Sequence, residues 1–265
     1  MFKSQFVEID QIGLKERFKI LQIFEKYESE KEVVNMAYTM THVLVAEKIL
    51  EYFDYPIDYS TYMIGAIAPD AVHANPDYSP KLKEKSHLFA EGLTWGEVTS
   101  ENEIDEWLHS VKGFYDNNHF RYDRDFFLGY IVHILTDICS CREIYAPFYF
   151  SLTEDDMEEK KRQFSYESYV VYYFLFREYS KRRNLIDILK KGRSYSIPNV
   201  YDDTYFENRI SQLLDFEFKH RDLRLIENNS IVTIENTGAL LECAPKVIWE
   251  MLMYLGNGSF PIGVL

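Results

Sequence analysis

Apolar positions recur at helical spacing along most of this chain. In the stretch 41–53, for example, apolar residues stand at 43, 44, 49, 50 and 53, which is the repeat of an amphipathic helix. Helices are predicted over 41–53, 58–68, 101–114, 126–143, 153–180, 184–191, 203–220 and 238–255. Strand signals are scarce, and the best run is 230–234, with Leu225 and Ile226 as its candidate partner. The pattern predicts an all-α multi-helix bundle in one domain, 36–265, after a charged, amphipathic helical extension over 1–35.

The stretch 126–143 is apolar nearly all the way round, which predicts a helix in the middle of the bundle rather than on its surface. It nevertheless carries His133 and Asp137, which stand four residues apart and so share one helix face. Burying an imidazole and a carboxylate is costly unless something pairs with them. The candidate partners are each other, a third polar group or a metal ion.

Three further residues can complete a ligand set. His42 falls in the first turn of its predicted helix, which Thr39 or Thr41 can cap. Asp70 follows the proline that ends the helix 58–68, and His87 follows a predicted polar loop over 73–85.

Three histidines and two aspartates are nitrogen and oxygen donors of the kind that zinc binds, although manganese and iron accept them too. A lone His-x-x-x-Asp pair on a buried helix is more often a hydrogen-bonded structural pair. The three additional donors favour a metal site, which Asp137 could extend to two ions by bridging them.

Charge and cysteine content narrow the function classes. The net charge is −14, and no basic stripe is present to neutralise phosphates, so we expect no stable nucleic-acid partner. An odd cysteine count with two residues close together on one helix, Cys139 and Cys141, favours a reducing compartment. The first residues match no signal peptide, and no long apolar run predicts a membrane span. We therefore expect a cytoplasmic location.

Four segments occur in a specific order: Thr41-His42, the sequence GAIAPD ending at Asp70, Ser86-His87, and GYIVHILTD ending at Asp137. Together they resemble the zinc-dependent phospholipase C family, which shares its all-α fold with single-strand-specific zinc nucleases. The resemblance covers about residues 36–180. It implies a zinc-dependent phosphoester hydrolase, a phosphodiesterase that uses metal-bound hydroxide on a small phosphoester or phospholipid-like substrate.

The resemblance also implies roles for individual residues. His87, His133 and Asp137 match the ligands of one zinc ion, and His42 with a shared Asp137 matches a second. Asp70 matches the catalytic carboxylate that orients or deprotonates the nucleophilic water. His73, three residues beyond Asp70, could face the same site.

The chain departs from the family pattern at its additional metal site. The family has a histidine a few residues after the central aspartate and a His-x-x-x-Glu pair on the next long helix, whereas this chain has Cys141 and Glu143 after Asp137 and Gln163-x-x-x-Glu167 downstream. Cys141 or Glu143, together with Glu167, could rebuild an outer site, but we expect it to be lost or weakened. One or two zinc ions are therefore expected rather than three.

Two other functions stay open at this point. One is a catalytically inactive, metal-binding or structural member of the same fold, and the other is a single-strand nuclease, which the negative charge disfavours.

Overall fold

All regular secondary structure is helical in the residues that the computed structural model describes, 38–219 and 221–257. The α-helices are α1 (Thr39–Ile49), α2 (Tyr59–Gly65), α3 (Pro80–Ser86), α4 (Glu101–Asn118), α5 (Arg124–Ser140), α6 (Ala146–Phe150), α7 (Met157–Glu178), α8 (Arg182–Lys191), α9 (Phe206–Gln212) and α10 (Ile234–Leu255). Short 3₁₀ helices span Leu50–Tyr52, Ala68–Ala74, Asp203–Tyr205 and Leu223–Asn228, and π-helical turns span Cys141–Tyr145 and Leu213–Glu217. No strand occurs in these residues, so the predicted all-α class is confirmed. The predicted extension 1–35 lies outside the described residues.

Helix α5 is the buried centre of the bundle, as the sequence predicts. Every residue from Asp125 to Ser140 is buried, and α1, α2, α4 and α10 pack around it. The helix begins two residues earlier than expected because the Asp123 carboxylate caps it by accepting from the backbone N–H groups of Asp125 and Phe126. The bundle therefore presents the predicted His-x-x-x-Asp face to the interior.

Helices α2 and α5 cross with their backbones in contact. A Cβ atom on Gly129 would lie 2.0 Å from the Tyr62 carbonyl oxygen, and one on Gly65 would lie 2.1 Å from the Phe126 carbonyl oxygen. Only glycine fits at either position, because real Cβ atoms do not approach other heavy atoms so closely. The crossing sets the segment that follows α2 directly against α5.

That segment differs from the prediction. The helix expected over 58–68 ends at Gly65, and Pro69 and Asp70 lie within the 3₁₀ helix Ala68–Ala74 instead of terminating an α-helix. The expected polar loop 73–85 contains helix α3, with Pro80 in its first turn, where a missing N–H costs nothing.

Three other local predictions were wrong. Tyr38 rather than a threonine occupies the N-cap position of helix α1, and both Thr39 and Thr41 lie inside the helix. Helix α4 continues to Asn118, four residues beyond its predicted end at residue 114. The expected strand 230–234 is absent because the N–H groups of residues 230–232 donate to the Glu167 carboxylate instead of to a neighbouring strand.

None of the helices in the described ranges is long and apolar enough to cross a membrane.

Candidate metal centre

His133 is fixed in one orientation and one tautomer. Its Nδ1 atom lies 2.8 Å from the Ala66 carbonyl oxygen, which can only accept, so Nδ1 carries the proton and Nε2 carries a lone pair. Ala66 directly follows α2. The α2–α5 crossing therefore leaves Nε2 available as a ligand atom.

His87 directs its own Nε2 atom toward that of His133. Its Nδ1 atom lies 3.1 Å from the Lys83 carbonyl oxygen and 2.8 Å from the Ser86 hydroxyl, which assigns the proton to Nδ1. The two Nε2 atoms are 3.2 Å apart. Two lone pairs at that distance repel each other unless a proton or a cation lies between them.

The chain around His87 is held from two sides. The Tyr130 hydroxyl on α5 donates to the Ser86 carbonyl at 2.5 Å, and the Trp107 indole N–H on α4 donates to the His87 carbonyl at 2.7 Å. Both bonds are buried, so they fix the position of the imidazole through its backbone.

Asp137 closes the group opposite the two imidazoles. Its Oδ2 atom lies 3.1 Å from His87 Nε2 and 3.6 Å from His133 Nε2, and its Oδ1 atom lies 3.5 Å from His42 Nε2. Within the described residues neither carboxylate oxygen accepts a hydrogen bond, and neither ring nitrogen of His42 has a hydrogen-bond partner. Buried polar atoms left in this way carry the full cost of desolvation. A cation among them would remove that cost, so the donor set fits a metal ion.

The five predicted residues are brought together, as two overlapping groups. Among the described residues, His87, His133 and Asp137 form one candidate ligand group, and His42, Asp70 and His133 form the other, with all ligand atoms of a group within 4.8 Å of one another. His42 reaches its group from α1 by stacking on His133, with the ring centroids 3.6 Å apart and the planes 7° from parallel. The sequence left three candidate partners for His133 and Asp137: each other, a third polar group or a metal ion. A metal ion suits this geometry better than a direct His133–Asp137 hydrogen bond.

Burial keeps the imidazoles of His42 and His133 neutral. Burial, followed by the neighbouring His133, lowers the pKa of His42 from 6.5 to about 3. Burial is also the main cause that holds the pKa of His133 well below its usual value. Neutral imidazole is the form that binds metal, so His42 and His133 are ready to act as ligands at neutral pH.

Asp70 contacts a buried lysine in addition to the other candidate metal ligands. Its Oδ1 atom pairs with the Lys83 ammonium and lies 3.5 Å from His87 Nε2. Burial alone would raise the pKa of this carboxyl, but the Lys83 ammonium, followed by the adjacent imidazoles of His73 and His87, outweighs burial and holds the pKa well below its usual range. Asp70 is therefore an ionised carboxylate with a strong preference for cations.

His73 lies beside the candidate metal centre, as the sequence suggested it could. Its Nε2 atom is 3.4 Å from Asp70 Oδ1 and 3.1 Å from Lys83 Nζ. It is absent from both ligand groups, so its contacts place it beside the ligands rather than among them.

Sequence reasoning missed two buried cations. Lys83 was assigned to the polar loop, although it stands four residues before His87, the spacing that puts both on one face of a helix. Arg209 comes from α9, beyond the part of the chain with any recognisable motif. Its Nη2 atom lies 2.6 Å from Glu217 Oε1, 3.2 Å from the Thr39 hydroxyl and 3.9 Å from Asp70 Oδ2.

The residues considered for an outer site have other partners. Burial raises the pKa of Cys141 to about 12, and its thiol donates to the Val98 carbonyl at 3.2 Å. Glu143 is exposed, and Glu167 is surrounded by the N–H groups of residues 230–232. Neither of the two ligand groups in the described part of the chain contains any of these residues.

Comparison with known proteins adds no assignment, because no protein-family model, curated protein or solved structure matches this chain.

Proposed function

We propose that this protein is a metal-dependent phosphoester hydrolase, a phosphodiesterase that resembles the zinc-dependent phospholipases C. The observation that carries the proposal is the set of buried nitrogen and oxygen atoms around Asp137 that have no hydrogen-bond partner in the described residues. Zn²⁺ is the ion that suits this donor set best. When bound, it would act as a Lewis acid and lower the pKa of a coordinated water to about 7.

The residues take separate tasks in this proposal. His87, His133 and Asp137 would hold the ion, and the Nδ1 contacts of both histidines would keep their Nε2 atoms directed toward it. Asp70 would orient the attacking water by accepting its hydrogen bond. The lowered pKa of Asp70 makes it a weak base, so we assign it orientation rather than deprotonation.

A second candidate, a metal-binding protein without catalysis, is favoured by the burial of the centre. His42, Asp70, His87, His133 and Asp137 are each at most 2% exposed. Catalytic zinc sites keep a coordination position open to water or substrate, whereas structural sites are closed. Hydrolysis at this centre would therefore require substrate to gain access by local opening.

Hydrolysis of a nitrophenyl phosphodiester separates the two candidates. The hydrolase proposal predicts turnover with added Zn²⁺ that is lost with a chelator and in Asp137→Asn, and retained in Asp105→Asn, which changes an exposed carboxylate on α4. A folded, zinc-loaded protein with no turnover would leave the metal-binding candidate. Cleavage of single-stranded DNA with the same dependence on Asp137 would instead support the nuclease alternative, which the charge of −14 disfavours.

A further inference from the structure

A buried lysine stands inside the candidate metal centre. Lys83 is 1% exposed, and its ammonium pairs with Asp70 Oδ1 and lies 3.1 Å from His73 Nε2. The same ammonium lies 4.4 Å from the centroid of the Trp95 ring, where the face of an indole stabilises a cation. Carboxylate, imidazole and aromatic face together form a complete binding site for one positive charge.

The two candidate ligand groups compete for one ligand atom. They share His133, whose Nδ1 atom is engaged with the Ala66 carbonyl. The remaining Nε2 atom has one lone pair and can bind one ion. An ion held by His87, His133 and the Oδ2 atom of Asp137 therefore leaves a second ion with His42, Asp70 and the Oδ1 atom of Asp137, which lies 3.5 Å from His42 Nε2.

Asp70 is already neutralised by a cation of the chain itself. A second divalent ion on Asp70 would have to displace the Lys83 ammonium from Oδ1 or lie beside it, and like charges at that range repel strongly where water is excluded. Displacement has its own cost, because the buried ammonium would lose its carboxylate partner.

We propose that the Lys83 ammonium occupies the place of a second divalent ion, so that the centre holds a single metal ion. The inference rests on the proposed function for its chemical meaning. In two-metal sites, the second ion directs positive charge toward a phosphoester oxygen. Here the Lys83 ammonium supplies that charge instead, beside the single metal ion. Lys83 thereby sets the metal stoichiometry of the centre.

Zinc counting in matched variants tests the proposal. Metal-free protein is equilibrated with excess Zn²⁺, separated from unbound ion and analysed for zinc per chain. We expect about one zinc in the native protein, about two in Lys83→Met, and about one again in the double variant Lys83→Met/Asp70→Asn, which removes the carboxylate that the second ion needs. Lys85→Met changes an exposed lysine on the same helix and should keep the native count.

The outcomes separate this inference from the proposed function. No zinc in the native protein would overturn the metal centre itself. About two zinc ions in the native protein, or about one in a Lys83→Met variant that unfolds at the native urea midpoint, would overturn the inference about Lys83 alone. If Lys83→Met does not fold, Lys83→Gln is measured in its place. A zinc content of about two ions per chain in the native protein would by itself contradict the inference.

Discussion

At the scale of single residues, the centre contains histidine side chains that burial keeps neutral. His42 and His73 both have a pKa of about 3, chiefly because they are buried. The sequence could suggest which histidines converge, because His133 and Asp137 share one face of a helix. It could not show their protonation state, since that depends on groups from α1, α3 and the Ala68–Ala74 segment meeting in space.

The buried histidines predict a loss of stability in acid for the metal-free protein. Their pKa is about 3 in the folded chain and 6.5 when unperturbed. The unfolded state therefore binds more protons between these values, and stability is fully present above pH 6.5 and falls as the pH drops toward 3. From pH 7 to pH 5 each such histidine should cost about 2 kcal/mol of unfolding free energy.

Urea unfolding in the presence of a chelator measures this effect. His73→Gln should reduce the difference between pH 7 and pH 5 by about the contribution of one histidine, about 2 kcal/mol. His109→Gln, at an exposed site on α4, should leave the native difference unchanged. An equal pH dependence in all three proteins would contradict a neutral, buried His73.

At the scale of elements, the α2–α5 crossing connects packing to the metal centre. Gly129→Ala would place a methyl group 2.0 Å from the Tyr62 carbonyl oxygen and 2.8 Å from the Ala66 nitrogen. The helices must separate, so we expect a loss of at least about 2 kcal/mol of unfolding free energy. Because the Ala66 carbonyl orients His133, zinc affinity should fall as well.

Gly113→Ala is the matched control for this variant. Gly113 is exposed on α4, and an added Cβ meets no atom within 4 Å. Replacing a helical glycine by alanine there should stabilise the protein by up to about 1 kcal/mol. Urea midpoints that move in the same direction for both variants would refute the account of the crossing.

Glu167 acts at the same scale by holding a loop rather than a metal. Its carboxylate accepts from the N–H groups of residues 230–232 and from the Gln163 side chain. Glu167→Gln should cost about 1–3 kcal/mol, because a charged acceptor of several buried donors is lost. The zinc content should not change.

Exposed Glu143 provides the comparison for Glu167. Glu143→Gln should change the unfolding free energy by no more than about 0.5 kcal/mol. A zinc count that drops in either variant would show that the outer site exists after all.

The elements also show what periodicity can and cannot predict. Helix α5 was predictable because nearly every position is apolar. Helix α3 was not, because PKLKEKS has a single apolar residue and its packing depends on a buried lysine. The strand expected over 230–234 does not form, for a related reason. A carboxylate that is distant in the sequence accepts hydrogen bonds from the backbone N–H groups that a neighbouring strand would otherwise use.

At the scale of the whole molecule, the centre joins residues that lie far apart in the chain. His42 and Asp137 are brought together by α1 and α5, and Arg209 joins them from α9 through Asp70, at 3.9 Å. The predicted ligands all lie in the part of the chain that carries motifs. Arg209 lies outside it, and an isolated arginine in a charged helix has no sequence signature. The fold class and the convergence of the candidate ligands were therefore predictable, while the cationic surroundings were not.

Calorimetric titration of the metal-free protein with Zn²⁺ tests the central claim most directly. The account predicts a saturable site of about one ion per chain that disappears in His133→Ala and persists in His109→Ala, because His133 belongs to both candidate ligand groups and His109 is exposed. Absence of zinc binding by the native protein, or equal binding by folded His133→Ala, would contradict it.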